Sequence, residues 1–401
     1  MPTPRHRSPL GCSLPFIHST ITFVLLLLLC CCFCPPLALA DCECGYLATV
    51  DGGSEHALFT DLLETNFARL ANDDTNQNGN NDNNGISQDT DWAPQAFNLT
   101  RERARGVYGE MFAVENVRYH HHDAEDHAGE GGLELVVRSE VVDGMVSGAE
   151  LDTERLDLWW GTFRAVVKVP GVGGSCAAFF WYFNDTQEID MEFLTKDFNA
   201  TNSSYPVNLV LQSREAALAG YDASQTGNFI QAYLPFDPTE TFHEYRIDYL
   251  PGRVLFYADG ELLARMAGPA VPSSPGHLIL QHWSNGNERW SGGPPARDAA
   301  LVVRSVKAYF NSSMGQRQRD WAGRCRDPAA PRTVCGIPDV TPGNWSAADW
   351  FFGDHGNMTN NQTVSEESGG ARSRELWWST VGGLLLVDTT RGNFTFDLGQ
   401  M

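Results

Sequence analysis

The sequence predicts an all-β fold, a two-sheet β-sandwich of the closed or jelly-roll type. Short runs rich in apolar, β-branched and aromatic residues recur with short turns over roughly 250 residues. No long stretch with a helical period competes with them. The dipeptide Asp259-Gly260 separates two such runs and is a strong signal for a two-residue hairpin turn. Many short strands of this kind bury their apolar faces by pairing into two packed sheets.

The strands are predicted in order along the chain. A short apolar segment at 58–70 starts the domain. Trp159 and Trp160 are neighbours in one predicted strand, so we expect their rings on opposite faces. The predicted strands are 133–137, 159–170, 177–183, 207–212, 243–250, 253–257, 262–265, 278–283 and 301–310.

The run 187–194 contains the candidate catalytic residues. Glu188, Asp190 and Glu192 alternate with large apolar residues, so on a strand the three carboxylates share one face. Three like charges side by side are unfavourable unless they serve a reaction. Retaining glycosidases hold two carboxyl groups about 5–5.5 Å apart. The α-carbons of Glu188 and Glu192 should lie about 13 Å apart, a gap that two glutamate side chains can close.

Asp190 lies between the two glutamates and can hydrogen-bond to either of them. The alternative interpretation of this run is an exposed acidic strand with a buried underside, without catalysis. The run alone leaves both interpretations open.

The N-terminus predicts a secretory signal peptide over 1–40. Arg5 and Arg7 precede an apolar run, which ends before the small-residue pattern 38–40. A membrane anchor is the alternative, but the apolar run is shorter than a bilayer span needs. We therefore expect the mature chain to be secreted, to the extracellular space or the cell wall, without a membrane span.

Cleavage after Ala40 would remove half of the ten cysteines. An odd number remains, so at least one is free or pairs with another chain. Cys176 lies in an apolar strand and is the expected buried thiol. The others could staple the two ends of the mature chain, with their connectivity left open. They are Cys42, Cys44, Cys325 and Cys335.

Glycosylation sequons also favour secretion, and we expect a glycoprotein. The formal net charge of −22 disfavours nucleic acid and anionic membranes as partners, whereas a neutral polysaccharide remains compatible. The sequon asparagines are Asn98, Asn184, Asn199, Asn202, Asn311, Asn344, Asn357, Asn361 and Asn393.

Two segments resemble metal sites only weakly. The Asn-rich stretch 72–85 resembles the first half of a calcium loop, but Gly85 stands where the last acidic ligand is expected. The histidines at 120–122 and 127 would alternate faces on a strand. We expect solvated loops at both places, and neither a metal nor another cofactor is needed. The domains are then the signal peptide 1–40, a catalytic sandwich 41–313 and a loop-rich extension 314–401.

The extension is expected to be held by Cys325 and Cys335 and then to continue as a flexible glycosylated tail. Its apolar stretch 376–387 is too short, and too interrupted by glycine, to span a bilayer comfortably. We expect that stretch to pack on a surface, and the protein to be a monomer.

Between about Ser147 and Asn311 the chain resembles glycoside hydrolase family 16. That family includes lichenases, laminarinases and xyloglucan transglycosylases on a concanavalin-like β-jelly roll. The resemblance implies that Glu188 is the nucleophile, Glu192 the acid/base and Asp190 the residue that assists them. The matching segments are 147–150, 160–163 with Lys168, 188–197, 242–245, 259–260, 278–283 and 306–309.

By the same resemblance Tyr182, Asn208, Gln281 and Trp283 line a substrate cleft, together with Glu150. Tyr182 and Trp283 have core packing as the alternative. Trp290, in a Gly- and Pro-rich loop, is a further candidate for stacking on a sugar, with loop packing as its alternative. The sequence departs from lichenases at two positions: Thr186 replaces a tryptophan and Asp152 an arginine.

The function implied is a secreted retaining enzyme that cleaves internal linkages of a β-glucan or a related cell-wall polysaccharide. A cell-wall transglycosylase would use the same catalytic residues, with a sugar as acceptor. A lectin-like carbohydrate-binding module could use the same sandwich, but it gains nothing from clustered carboxylates.

Overall fold

The structure is a computed structural model that describes residues 41–71, 86, 91–120, 131–339 and 351. The predicted signal peptide, the Asn-rich stretch, most of the His-rich segment, the apolar stretch 376–387 and the rest of the glycosylated tail lie outside the described residues.

Two large sheets make up the described chain, and a small third sheet adds to them. The larger has ten strands: in spatial order β15 (Phe229–Tyr233), β14 (Pro206–Ser213), β13 (Gln187–Leu194), β12 (Cys176–Asn184), β19 (His277–Trp283), β10 (Met145–Thr153), β6 (Gly109–Phe112) and β5 (Phe97–Leu99), with β4 (Trp92–Pro94) and β9 (Val141–Val142) also paired to β10.

The second sheet has eight strands and the third has three. The second sheet contains, in spatial order, β18 (Glu261–Ala267), β17 (Arg253–Ala258), β16 (His243–Leu250), β11 (Leu158–Lys168), β20 (Ala299–Ser312), β8 (Gly132–Val137) and β7 (Val117–His120), and β3 (Asp61–Asn66) also pairs with β20. The third sheet contains β2 (Glu55–Phe59), β1 (Gly45–Val50) and β21 (Val334–Gly336). The α-helices are short: α1 (Phe67–Ala71), α2 (Arg101–Ala104), α3 (Arg214–Leu218) and α4 (Gly315–Arg324).

The main hydrophobic core joins residues of the ten-stranded and eight-stranded sheets. From β13 it takes Ile189, Met191 and Phe193, which are almost completely buried. Phe193 packs edge-on against Tyr245 of β16, with the ring centroids 4.6 Å apart. The alternation of β13 thereby turns its carboxylates to the opposite side, which we call the outer face of the ten-stranded sheet.

The two ends of the described chain are fastened together beside the eight-stranded sheet. Disulfides join Cys42 to Cys335 and Cys44 to Cys325. Arg317 of α4 is buried and donates to both carboxylate oxygens of Asp61 on β3, at 2.8 and 2.6 Å. In the three-stranded sheet β1 pairs with β2 on one side and with β21 on the other, so residues from both ends share it.

The all-β fold and the sandwich are confirmed, and the predicted strands coincide with observed ones to within a few residues. Asp259 and Gly260 both have positive φ, 47° and 81°, as a type I′ hairpin turn between β17 and β18 requires. Cys176 is confirmed as a buried free thiol.

The prediction that Trp159 and Trp160 lie on opposite faces is wrong. Their rings stack with centroids 4.3 Å apart. A β-bulge shifts the register of β11 between Trp159 and Gly161, and Trp160 has a φ of 33°. A bulge inserts one extra residue and interrupts the strict alternation of side chains.

Peptide mapping without reduction tests the disulfide pairing. We expect Cys42 linked to Cys335, Cys44 linked to Cys325, and Cys176 labelled by a thiol reagent only after unfolding. Replacing Cys42 and Cys335 by alanine should cost about 3 kcal/mol, because the other bridge still closes the chain ends and only a short loop is released. Cys176→Ala is the matched control that leaves both bridges intact. A bridge that contains Cys176 would contradict this arrangement.

Candidate active site

The outer face brings the predicted catalytic residues together with most of the predicted cleft residues. Strand pairing places Glu192 of β13 between Ala178 of β12 and Asn208 of β14. The same row continues through Gln281 of β19 to Glu150 of β10. Four strands therefore contribute polar side chains to one line across the sheet.

Glu188 occupies a second row, four residues back along β13. Its neighbours across the strands are Tyr182 of β12 and Gln212 of β14. Asp190 lies between the two rows and is buried, whereas both glutamates are half-buried. A hydrogen bond links Asp190 to Glu188.

Glu192 has different partners from Glu188. The indole N–H of Trp290 donates to Glu192 Oε1 at 3.2 Å. The thiol of Cys176 lies 3.9 Å from the same oxygen. Two glutamates with identical side chains are thus distinguished by what surrounds them, Asp190 at one and an indole at the other.

Burial raises the pKa of all three carboxyl groups. For Glu188 it raises the pKa to about 7, although the hydrogen bond with Asp190 lowers it. For Glu192 burial also raises the pKa to about 7, against the lowering effects of the Trp290 hydrogen bond and the positive charge of Arg105. The pKa of Asp190 is raised well above its usual value by burial and then by the charges of both glutamates. The protonated form of Asp190 is therefore favoured by its surroundings, and in that form Asp190 can donate a hydrogen bond to Glu188.

Further carboxyl groups extend this acidic face. Gln281 Nε2 donates to Glu150, and burial raises the pKa of Glu150 to about 7. Burial and the charge of Glu150 raise the pKa of Asp152 well above its usual value. Asn285 Nδ2 donates to Glu110 Oε1 at 3.0 Å, and burial raises the pKa of Glu110 to about 8. The outer face is therefore lined by carboxyl groups that resist losing their protons.

The remaining predicted binding residues lie on or beside this face. The hydroxyl of Tyr182 donates to Asp185 Oδ1 at 2.7 Å. Asn208 Oδ1 accepts from Gln231 at 3.2 Å. Trp283 is half-buried at the end of β19, opposite Cys176. Their roles in substrate binding stay predictions.

Sequence reasoning missed Glu110 and Arg105. Glu110 reaches the outer face because β6 pairs in parallel with β10, which puts Glu110 beside Val146. Arg105 follows α2 in a polar segment, and its charge lowers the pKa of Glu110, Glu188 and Glu192. Nothing in the local sequence around either residue points to the motif on β13, which is about 80 residues away.

Within residues 41–71, 86, 91–120, 131–339 and 351, no group of three His, Cys, Asp or Glu side chains is arranged to hold a metal ion. No helix of that described part is long and apolar enough to cross a membrane.

Comparison with known proteins finds a family model that matches the region of the candidate site. Residues 113–300 match the family model described as "Glycosyl hydrolases family 16", a span that includes β13 and the Trp290 loop. The match agrees with the resemblance to family 16 that the sequence motifs had indicated.

This chain is similar to curated proteins named β-glucanases and to a solved structure of a lichenase. A β-glucanase of Paenibacillus polymyxa is 29% identical over 139 residues, and one of Paenibacillus macerans is 30% identical over the same length; each match covers 33% of this chain and 52% of the relative. The chain thus spans about half the length of the curated relatives it matches. A lichenase structure derived from a mouse hindgut metagenome aligns at 21% identity with a TM-score of 0.44, covering 62% of this chain and 99% of that one.

The protonation of Glu110 predicts a pH-dependent stability. Its folded pKa of about 8 exceeds the unfolded value near 4.5, so its favourable contribution is complete below pH 4.5 and is lost as the pH rises toward 8. As the pH rises from 5 to 7.5, the difference in free energy of unfolding between Glu110→Gln and the wild type should therefore shift in favour of the mutant by about 1.4 kcal/mol per pH unit.

Urea unfolding at several pH values measures this difference. The exposed Glu261→Gln on β18 is the matched control and should run parallel to the wild type. Parallel curves for Glu110→Gln as well would show that Glu110 ionises normally in the folded protein.

Proposed function

We propose that this protein is a secreted, retaining glycosidase that cleaves internal linkages of a β-glucan by double displacement. The observation that carries the proposal is the position of Glu188, Asp190 and Glu192 on one face of one strand, with different partners at each glutamate. The names of the related β-glucanases and the family 16 match support the class of substrate.

The reaction takes two steps. Glu192 donates its proton to the glycosidic oxygen while Glu188 attacks the anomeric carbon, and the bond from that carbon to the leaving oxygen breaks. Glu192, now ionised, then takes a proton from water. The water oxygen attacks the same carbon and the bond to Glu188 breaks, which restores both groups.

Burial raises the pKa of both glutamates to about 7, so their different hydrogen-bond partners, and not their pKa values, favour these opposite roles. Glu192 must hold a proton at the working pH, and burial raises its pKa to about 7. Glu188 must be ionised to attack, and the hydrogen bond with Asp190 favours its charged form. The protons of the cluster are coupled, so the limbs of the pH–rate profile belong to the cluster as a whole.

A neutral polysaccharide fits the surface that surrounds these groups. Tyr182, Trp283 and Trp290 are aromatic side chains at the outer face and can stack on sugar rings. The net charge of −22 would repel an anionic polymer. A substrate without charge, held by stacking and by the amides of Asn208 and Gln281, is the partner that this chemistry favours.

Secretion is part of the proposal. The two disulfides suit an oxidising compartment. The sequon asparagines Asn98, Asn199 and Asn202 are exposed and open to glycosylation. Together with the N-terminal sequence pattern, they favour the extracellular space or a cell wall.

Mutation of either glutamate tests the proposal. Glu188→Gln and Glu192→Gln should each lower kcat on a soluble β-glucan by about 10²- to 10⁴-fold or more. Circular dichroism should show that the fold of each mutant is intact. Glu261→Gln, exposed on β18, should keep wild-type activity.

Three outcomes would change the assignment. Near-wild-type turnover by either mutant would remove that glutamate from the reaction. Binding of glucan without cleavage by the wild type would make the protein a lectin-like module. Products longer than the substrate would mean that a sugar hydroxyl takes the place of water.

A further inference from the structure

Two loops that begin on opposite sides of the ten-stranded sheet meet through one pair of side chains. The guanidinium of Arg105 lies over the ring of Tyr221, 4.7 Å from its centroid. Arg105 lies in the loop between α2 and β6, and Tyr221 lies in the segment between β14 and β15. We call this contact the bridge.

The bridge must cross the outer face. In the sheet, β14 and β6 are separated by β13, β12, β19 and β10, so they lie about 24 Å apart at about 4.8 Å per strand. Two side chains can meet across that distance only if both loops lean toward each other. The loop from β14 folds back over the outer face of its own strand, because its Ala216 and Ala223 pack against Val210, which pairs with Asp190 and shares that face.

The Arg105 side of the bridge faces the carboxyl groups of β13. Its positive charge lowers the pKa of both Glu188 and Glu192, which places the guanidinium on their side of the sheet. The carbonyl oxygen of Arg105 accepts from Asn287 Nδ2 at 3.2 Å. Asn287 belongs to the same loop as Trp290, whose indole N–H donates to Glu192. This loop therefore connects Arg105 to the candidate catalytic site.

Both bridge residues have an uncommon backbone conformation. Arg105 has a φ of 57° and Tyr221 a φ of 64°, in the left-handed region that non-glycine residues rarely adopt. The backbone N–H of Tyr221 donates to the carbonyl of Ala216 at 2.8 Å, which fixes the turn. Helices commonly end in a left-handed residue, as α2 does at Arg105, and this conformation fixes the direction in which the chain leaves the helix.

We propose that the bridge selects the polysaccharide: the chain binds beneath Arg105 and Tyr221, so an unbranched chain fits and a chain with branches at the covered sugar is disfavoured. This inference rests on the proposed function and adds a specificity determinant to it. A cation–π contact as exposed as this one favours the closed form by about two- to five-fold. The expected selectivity is correspondingly modest, and the chain enters when the bridge opens.

Binding by an inactive protein tests the inference without cleavage of the ligand. In the Glu188→Gln background, isothermal titration calorimetry would give the Kd for a linear soluble β-glucan and for one with the same backbone and single-glucose branches. Adding Tyr221→Ala should tighten binding of the branched glucan by about two- to five-fold and leave the linear glucan within about two-fold.

Three companion variants separate the bridge from other roles of the loop. Tyr221→Phe keeps an aromatic ring for the guanidinium and should keep the preference for the linear chain. Arg105→Met removes the charge and should lose the preference as Tyr221→Ala does. Leu218→Ala, at a side chain 84% exposed in the same loop, should change neither Kd.

The outcomes separate the bridge from the function beneath it. An unchanged preference in Tyr221→Ala overturns the bridge and leaves the enzyme proposal standing. Weaker binding of both glucans would make Tyr221 a stacking platform and also overturn the bridge. If the parent binds neither glucan and the wild type cleaves neither, the proposed function fails, and the inference fails with it.

Discussion

The candidate site depends on the alternation of a single strand. Ile189, Met191 and Phe193 are held in the main core by the eight-stranded sheet, and no rotation or one-residue slip of β13 is possible without exposing them. That anchorage holds Glu188 and Glu192 on the outer face. The apolar side of the strand thus determines where the chemistry can occur.

The same anchorage has an electrostatic cost. It brings carboxyl groups together where burial disfavours their charged forms, and it raises the pKa of Glu188, Glu192 and Asp190 above their usual values. A site made only of ionised carboxylates would be strongly destabilised. Here protons remain on part of the cluster near neutral pH, and a retained proton is what an acid catalyst needs. Burial of the carboxyl groups therefore destabilises the fold at high pH, and the same burial keeps a proton in the site for acid catalysis.

The local sequence pattern was sufficient to predict much of the fold and the central residues of the candidate site. The alternation of 187–194 predicted the shared face, Asp259-Gly260 predicted the hairpin, and the apolar setting of Cys176 predicted its burial. Each of these depends on neighbours along the chain.

The features that sequence reasoning missed depend on contacts distant in sequence. Glu110 reaches the outer face only through the parallel pairing of β6 with β10, and Arg105 meets Tyr221 only because a loop folds back over the sheet. The stacking of Trp159 on Trp160 depends on a bulge that no residue type in that stretch demands. Strand order and bulges are set by the whole fold, and a local pattern does not contain them.

The central proposal is that Glu188 and Glu192 act together on one anomeric carbon from one strand, by double displacement. Proton NMR of the first products from a β-glucan digest tests it most directly. Double displacement predicts that the new reducing end appears first as the β anomer and then mutarotates. An initial α anomer would require a water between the two carboxyl groups and would contradict the account.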